Sequence, residues 1–485
     1  MADTSPASLL LQLPDPCLLA VLGCLADDPA SLFSAARAHS RLHQAAGEAL
    51  SSITVTVKTQ QQLDHSLLPY LGKHGQHVNS MTVRGDWDTS ALATVRLRQL
   101  PTCLHLTSLR LKGQLCVQLQ QGHGFQGVLR HGLPLKQLRF GIGCTLLDAK
   151  GGLAAALHEL PVLQHLKVTL DPELAASVLP ELQHLTYLDL YCSTIINSFS
   201  YGGTFLQLLQ ALTCLVDLQV SGWHYQQYTR NMLSGLCSLT RLALAVQGFD
   251  PVALAGKTQL CHLQLPTCSI AGGAAGIAQL LSQLQHLTQL THLELARCMQ
   301  RPARADLPAA SYSALTASSE LQHLDIHQCF LPAGAWQHVF PAGRQLPHLQ
   351  SLVIDRVTMN SSIAAPGSSL VSCCPALQLL TMQDLQCSKE LLGALPRLSR
   401  LTGLQMGVVD GASGREVLEQ LCQLTGLMSL GLDAPSDPQG LLLLAQLRHL
   451  TYFRNADWEH MYITSKVKSQ KQHRAAQYWH RLFAF

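Results

Sequence analysis

The stretches Leu260-Cys-His-Leu-Gln-Leu265, Leu290-Thr-His-Leu-Glu-Leu295 and Leu321-Gln-His-Leu-Asp-Ile326 write one pattern, L-x-x-L-x-L, three times in close succession. Alternate residues of a strand point to opposite faces, so the second leucine and the apolar residue two later enter one core together while their neighbours face solvent. The same pattern starts at Leu106, Leu135, Leu163, Leu185, Leu215, Leu239, Leu349, Leu377, Leu401, Leu427 and Leu447. Phe140, Val168, Val220, Ile326, Ile354, Met382, Met406 and Tyr452 replace the third leucine without losing an apolar side chain. Fainter copies, Leu50-Ser-Ser-Ile53-Thr-Val55 and Val78-Asn-Ser-Met81-Thr-Val83, precede them. From Leu106 to Leu447 the mean step is about 26 residues.

A period of that length falls in the range of leucine-rich repeats. No single repeat can bury its own leucines, so neighbours must stack. The expected fold is an α/β leucine-rich-repeat solenoid, a horseshoe with parallel strands on its concave face and helices on its convex side. Gln279 to Leu287 and Glu416 to Leu424 carry apolar residues at three-to-four spacing and read as outer helices. Cys268, Cys298 and Cys329 each stand eight positions after a starting leucine, where such repeats favour Asn or Cys. They read as buried fillers near a turn rather than as redox groups.

Composition supports this. Of 485 residues 47% are hydrophobic, 13% charged and only 5% aromatic, with leucine about one residue in five, which suits stacked aliphatic layers. A formal charge of +3 gives no argument for nucleic acid or membrane as the main partner. Sixteen cysteines are too sparse for a secreted disulfide scaffold, and no apolar run approaches the ~20 residues that cross a bilayer. The expected location is cytoplasm and/or nucleus.

Residues 9–48 lack the repeat and read as three short helices. Pro14-Asp15-Pro16 opens the first, with Cys17, Leu18, Val21, Leu22 and Leu25 along one stripe. Asp28-Pro29 caps a second, which carries Leu32 and Ala36, and a third carries Leu42, Ala45 and Ala49. The stripe that begins with Leu13-Pro14, runs through Leu18, Val21, Leu22 and Leu25 and reaches Leu32 resembles the F-box, the motif by which substrate receptors dock onto the Skp-type adaptor of cullin-based ubiquitin ligases. The family's closing aliphatic-Cys-Trp segment is Ala38-His39-Ser40-Arg41-Leu42 here. The resemblance implies that Leu13, Pro14, Leu18, Val21, Leu22, Leu25 and Leu32 contact the adaptor. It also implies that the chain is the substrate-recognition subunit of such a ligase, with the adaptor, the cullin core and an unknown target as partners. The alternatives are that the helices cap the first repeat, and that the repeats form an interaction scaffold without a ubiquitin role.

On the concave face, residues between the second leucine and the third apolar residue run Arg110, Arg139, Lys167, Asp189, Gln219, Ala243, Gln264, Glu294 and Asp325, from basic to acidic. Those just before the second leucine run Ser108, Gln137, His165, Tyr187, Asp217, Arg241, His262, His292 and His323. Arg110, Lys136, Arg139 and Lys167 suit an acidic or phosphorylated target segment, because guanidinium forks hold such groups bidentately. The alternative is a merely solvated strand surface. Tyr187, Arg241, His262, His292 and His323 complete the candidate target surface. A metal on the three histidines is the weaker reading, since Glu294 and Asp325 beside them suggest hydrogen bonding. Trp223 and Tyr225 stand out in an aromatic-poor chain as interface anchors, or as fillers of an irregular repeat.

Arg297 to Glu320 reads as a mobile basic insertion. Residues 454–485 carry six Lys or Arg against two acids and read as a cap or a partner-binding tail. No phosphate loop, H-E-x-x-H or G-x-S-x-G appears, so no catalytic residue, metal or cofactor is expected. The expected organisation is a flexible 1–8, a helical module over 9–48, repeats over 49–453 and the C-terminal segment 454–485.

Overall fold

The computed structural model describes residues 10–24, 34–49 except 36, 52–85, 93–96, 103–118 except 114, 134–146 except 142 and 143, 157, 160–169, 179–191, 209–223, 233–299, 307–354 except 333, 358–359, 367–432 except 384 and 386, 440–455 and 458–462. The chain divides into two compact units, Met1–Gly222 with Ser234–Ser238, and Trp223–Leu233 with Leu239–Phe485.

In the first unit the strands Ser52–Val57, Ser80–Gly85, Ser108–Lys112, Gln137–Phe140, His165–Thr169, Tyr187–Tyr191 and Asp217–Trp223 pair in parallel in chain order. The register never slips: Ile53, Met81, Leu109, Leu138, Leu166, Leu188 and Leu218 stand opposite one another. None is more than 3% exposed. The two faint sequence copies are thus full members of the ladder. A glycine pair closes the strand exit there. Gly113 sits at φ +79°, and a Cβ on it would lie 2.3 Å from the Gly85 carbonyl oxygen, an approach only glycine permits.

The second unit repeats the scheme with Arg241–Val246, His262–Gln264, His292–Glu294, His323–Asp325, Ser351–Val353, Leu379–Met382, Gly403–Met406, Ser429–Leu432 and Tyr452–Asn455. Its spine is Leu242, Leu263, Leu293, Leu324, Leu352, Leu380, Leu404, Leu430 and Phe453, all buried. At the entrance of every strand from His262–Gln264 to Tyr452–Asn455 two successive N–H groups share one carbonyl of the preceding coil, as Cys261 and His262 do with Thr240 O. The strand Trp458–Tyr462 turns back antiparallel onto Tyr452–Asn455.

This is a leucine-rich-repeat solenoid. On the side away from the strands the connecting segments form a second layer and pack on one another in coil order. The Ala274–Leu284 helix meets the turn Pro251–Leu254 and the 3-10 helix Ala309–Thr316, and the helices Gly367–Cys373, Lys389–Ala394 and Gly414–Leu421 follow in turn. Gly414–Leu421 begins in a capping box of Ser413 and Glu416. The helices expected at Gln279 to Leu287 and Glu416 to Leu424 exist, displaced a few residues toward the N-terminus; the second starts at its Ser413–Glu416 capping box, whereas the first follows Gly273 without a side-chain cap. Several other connectors are single 3-10 turns, such as Leu179–Glu181 and Leu209–Ala211.

Three coils share one exit turn. Thr267, Arg297 and Gln328 adopt positive φ of 58°, 58° and 54°, and Cys268, Cys298 and Cys329 follow them, buried. The Cys298 thiol donates to Leu265 O and the Cys329 thiol to Leu295 O of the preceding coils. Burial raises the pKa of both, that of Cys329 to about 11, so the thiols stay protonated.

One expectation is corrected. The segment after Arg297 is no mobile insertion over its described part, because Ala309–Thr316 is helical with Tyr312, Ala314 and Leu315 buried. Arg297 also donates to Gln328 Oε1, while Arg301 and Arg304 lie outside the described residues.

Leu263→Ala empties a site with 0% exposure and should lower stability by about 2–5 kcal/mol. Leu379→Ala, on the open sheet face and 50% exposed, should change it by less than about 0.5 kcal/mol. Urea unfolding midpoints of the two variants check this.

Candidate functional site

Because the strand period commits every second residue to the spine, the residues between are displayed on the open face of the sheet. In the first unit Arg110, Arg139 and Lys167 are partners in register on three consecutive strands, with Asp189 the next in line. Lys167 Nζ binds Asp189 Oδ2 at 2.5 Å. The Arg139 guanidinium lies over the Tyr187 ring, 5.2 Å from its centroid, a cation–π contact. His165 packs against the same ring with centroids 5.6 Å apart. Burial, then the charges of Asp189 and Asp217, push the Tyr187 hydroxyl up to about 12. Burial and Arg139 push the His165 ring below its ordinary pKa, so it is neutral at pH 7. Lys136 is exposed at the entrance of its strand.

The sequence reading missed part of this patch. Arg84 and Lys112 pair in register one strand period further along and are both exposed. Following the alternation past the third apolar position would have found them. His165 was placed in its column but not in the site. Within the described residues, Arg110 Nε, Arg139 Nε and His165 Nδ1 are the buried side-chain nitrogens or oxygens without a hydrogen-bond partner.

In the second unit Arg241, His262, His292 and His323 are partners in register. The imidazoles stand ring against ring, His262 to His292 at 4.8 Å and His292 to His323 at 5.9 Å between centroids. Glu294 and Asp325 form the adjacent column, and His327 Nδ1 meets Asp325 Oδ1 at 2.7 Å. Among the described residues no group of three His, Cys, Asp or Glu is arranged to hold a metal. Burial comes first in lowering all three ring pKa values. For His262 the neighbouring Arg241 and His292 add to it, and the value falls to about 4. Glu294 is raised by burial and by Asp325.

The other site candidates fall elsewhere. Trp223 ends the Asp217–Trp223 strand, and its side chain and all of Tyr225 lie outside the described residues. At the N-terminus the helices Asp15–Gly23 and Ser40–Ala49 pack together, and Leu18 and Leu22 on the first and Leu42, Ala45 and Ala46 on the second are buried. Within the expected adaptor set, Leu18 and Leu22 are therefore interior residues of the pair, which corrects their reading as surface contacts: the period of the stripe does not reveal which helix covers it. Pro14 is exposed, Val21 is 42% exposed and Leu13 is half-buried, while Leu25 and Leu32 lie outside the described residues. Arg41 ties the pair together, donating to Leu11 O, to Leu13 O at 2.7 Å and to Asp15 Oδ1 at 2.6 Å.

No family model matches the chain, and no curated protein matches it either. Among solved structures, it is similar to an internalin of Listeria monocytogenes at 17% identity, over 90% of this chain and 100% of that one, with a TM-score of 0.44. A leucine-rich-repeat protein of Leptospira interrogans is similar at 14% identity over 85% and 91% of the two chains, with a TM-score of 0.47. The solenoid fold is shown by the strand register, which is unbroken within each unit.

The histidine column makes the fold sensitive to acid. The His262 pKa of about 4 in the fold lies below its ordinary 6.5, so the unfolded chain binds more protons between those values. The stabilisation is present above pH 6.5 and is lost as pH falls toward 4. The melting temperature should fall over that window, and His262→Gln should make the fall shallower in a series of thermal melts.

Proposed function

We propose that this chain is a non-catalytic protein-binding scaffold in which the open strand surface of each unit, taken by itself, can receive a segment of another protein. One observation carries the reading. The inward residues alone build the spine, yet the outward residues in register with them concentrate Arg110, Arg139, Lys167, Tyr187, Arg241, His262, His292 and His323, which folding does not require. A partner laid across the parallel strands of either unit meets an outward side chain every ~4.8 Å. Arginine and tyrosine among them are the residue types that most often anchor protein interfaces.

A second reading adds ubiquitin-ligase function. The paired helices Asp15–Gly23 and Ser40–Ala49 precede the first strand, and their exposed Pro14 and Val21 suit an adaptor of the Skp type. The chain then acts by proximity, holding its target near a transfer enzyme on a cullin core, in cytoplasm or nucleus.

Two experiments test these readings. Affinity capture with the intact chain should recover partners that are lost with Arg139→Glu or His292→Glu and kept with Arg415→Glu, a surface helix position. Equal recovery by all forms overturns the scaffold face. A Skp-type adaptor should co-purify with the intact chain and be lost with Val21→Glu at unchanged melting temperature. Leu18→Glu instead buries a charge and should unfold the helix pair. Failure of the wild-type chain to retain the adaptor removes the ligase reading and leaves the scaffold.

A further inference from the structure

Arg110, Arg139 and His165 lie on three consecutive strands of the first unit, Ser108–Lys112, Gln137–Phe140 and His165–Thr169. Each has a buried side-chain nitrogen without a hydrogen-bond partner: the Nε–H of both arginines, and Nδ1 of His165, which donates in one tautomer of the ring. Buried polar atoms left unmet are costly, and native folds rarely leave them so. No other described residue carries such an atom, and these three sit together on one face. Nearby, the demand is met: Lys167 has Asp189. Around the three stand Lys136, Lys112 and Arg84, all exposed and all cationic. The patch therefore offers more cationic donors than acceptors, since Gln137 Oε1 already takes the Ser108 hydroxyl and Asp189 takes Lys167.

We propose that Arg110, Arg139 and His165 form a subsite for the phosphoryl group of a phosphorylated serine or threonine in the partner segment. The inference rests on the open face being the docking surface and names what its basic end selects. A carboxylate saturates its two oxygens on one guanidinium fork, whereas a phosphoryl group has three terminal oxygens and nearly two charges, enough to accept from both arginines and the imidazole. The footprint is small. Three strands span about 10 Å, and Asp189 and Asp217 occupy the next two strands on the same face. A single phosphoryl group fits within that width, while a long polyanion such as RNA runs into the two carboxylates. The modest formal charge of +3 agrees with local rather than extended anion binding.

The test uses the intact chain and short synthetic peptides carrying one phosphoserine, one glutamate or one unmodified serine. Binding is followed by fluorescence anisotropy and by the 15N resonances of the arginine Nε–H groups. Expected is a preference of about tenfold or more for the phosphoserine peptide over the glutamate peptide, with the Arg110 and Arg139 Nε–H signals shifting on binding. Arg110→Gln and Arg139→Gln should each remove that preference at unchanged circular dichroism. Arg139→Lys keeps the charge but loses the fork and should also remove it. Equal affinity for the glutamate and phosphoserine peptides overturns the proposal. So does a preference retained in an Arg110→Lys, Arg139→Lys double variant, which would reduce the patch to unspecific charge. Tighter binding of an oligoribonucleotide or of a phosphoinositide-containing vesicle through the same arginines reassigns the site and overturns it as well. Partner capture that depends on the open face yet survives phosphatase treatment sinks this inference alone, whereas capture that ignores the face sinks the scaffold reading first.

Discussion

No coil of this chain can bury its own second leucine. Leu263 has neighbours only because Leu242 and Leu293 stand opposite it in register, and each fully buried leucine side chain contributes about 1.5–3 kcal/mol by leaving water. The constraint passes from coil to coil, since a one-residue slip at any strand would turn that coil's leucines out and its charges in. Register is thus the variable that the sequence must control. The paired N–H groups that share one carbonyl at the entrance of most strands hold it between side-chain contacts.

The same constraint explains what sequence alone could reach. Every element tied to the spine was legible: the strands, their parallel order, the faint early copies at Ile53 and Met81, and the buried cysteines. What depends on caps and on the meeting of side chains was not. The helix Gly414–Leu421 starts where Ser413 and Glu416 satisfy its first N–H groups, and the apolar spacing alone placed it two residues late. The stretch holding Tyr312 looked like a basic insertion because its arginines outweighed, on paper, one tyrosine and one leucine that in fact pack inward. Leu18 and Leu22 read as contact residues because a stripe on a helix does not say what covers it, and here Ser40–Ala49 does.

The candidate face divides in the same way. Its columns follow from the period, so Arg110, Arg139 and the three histidines were named from sequence. The pairing of Lys167 with Asp189, the Arg139–Tyr187 contact and the unmet donors depend on side-chain direction, which no spacing encodes.

The three coils that carry the histidine column also carry the positive-φ exits and the buried thiols. Each left-handed, non-glycine residue costs of order 1 kcal/mol, yet the feature recurs at Thr267, Arg297 and Gln328. In the second and third of these coils the thiol that follows reaches back to a carbonyl of the coil before, so the turn that is strained is also a tie along the stack. A face mounted on such coils cannot adjust its spacing to a visitor. Discrimination then falls to the side chains displayed: neutral, closely stacked imidazoles beside half-buried carboxylates in the second unit, unpartnered arginine Nε–H groups in the first. Rigidity of the spine thereby becomes selectivity at the surface, because a ligand that does not match the spacing of the strands gains nothing from bending them.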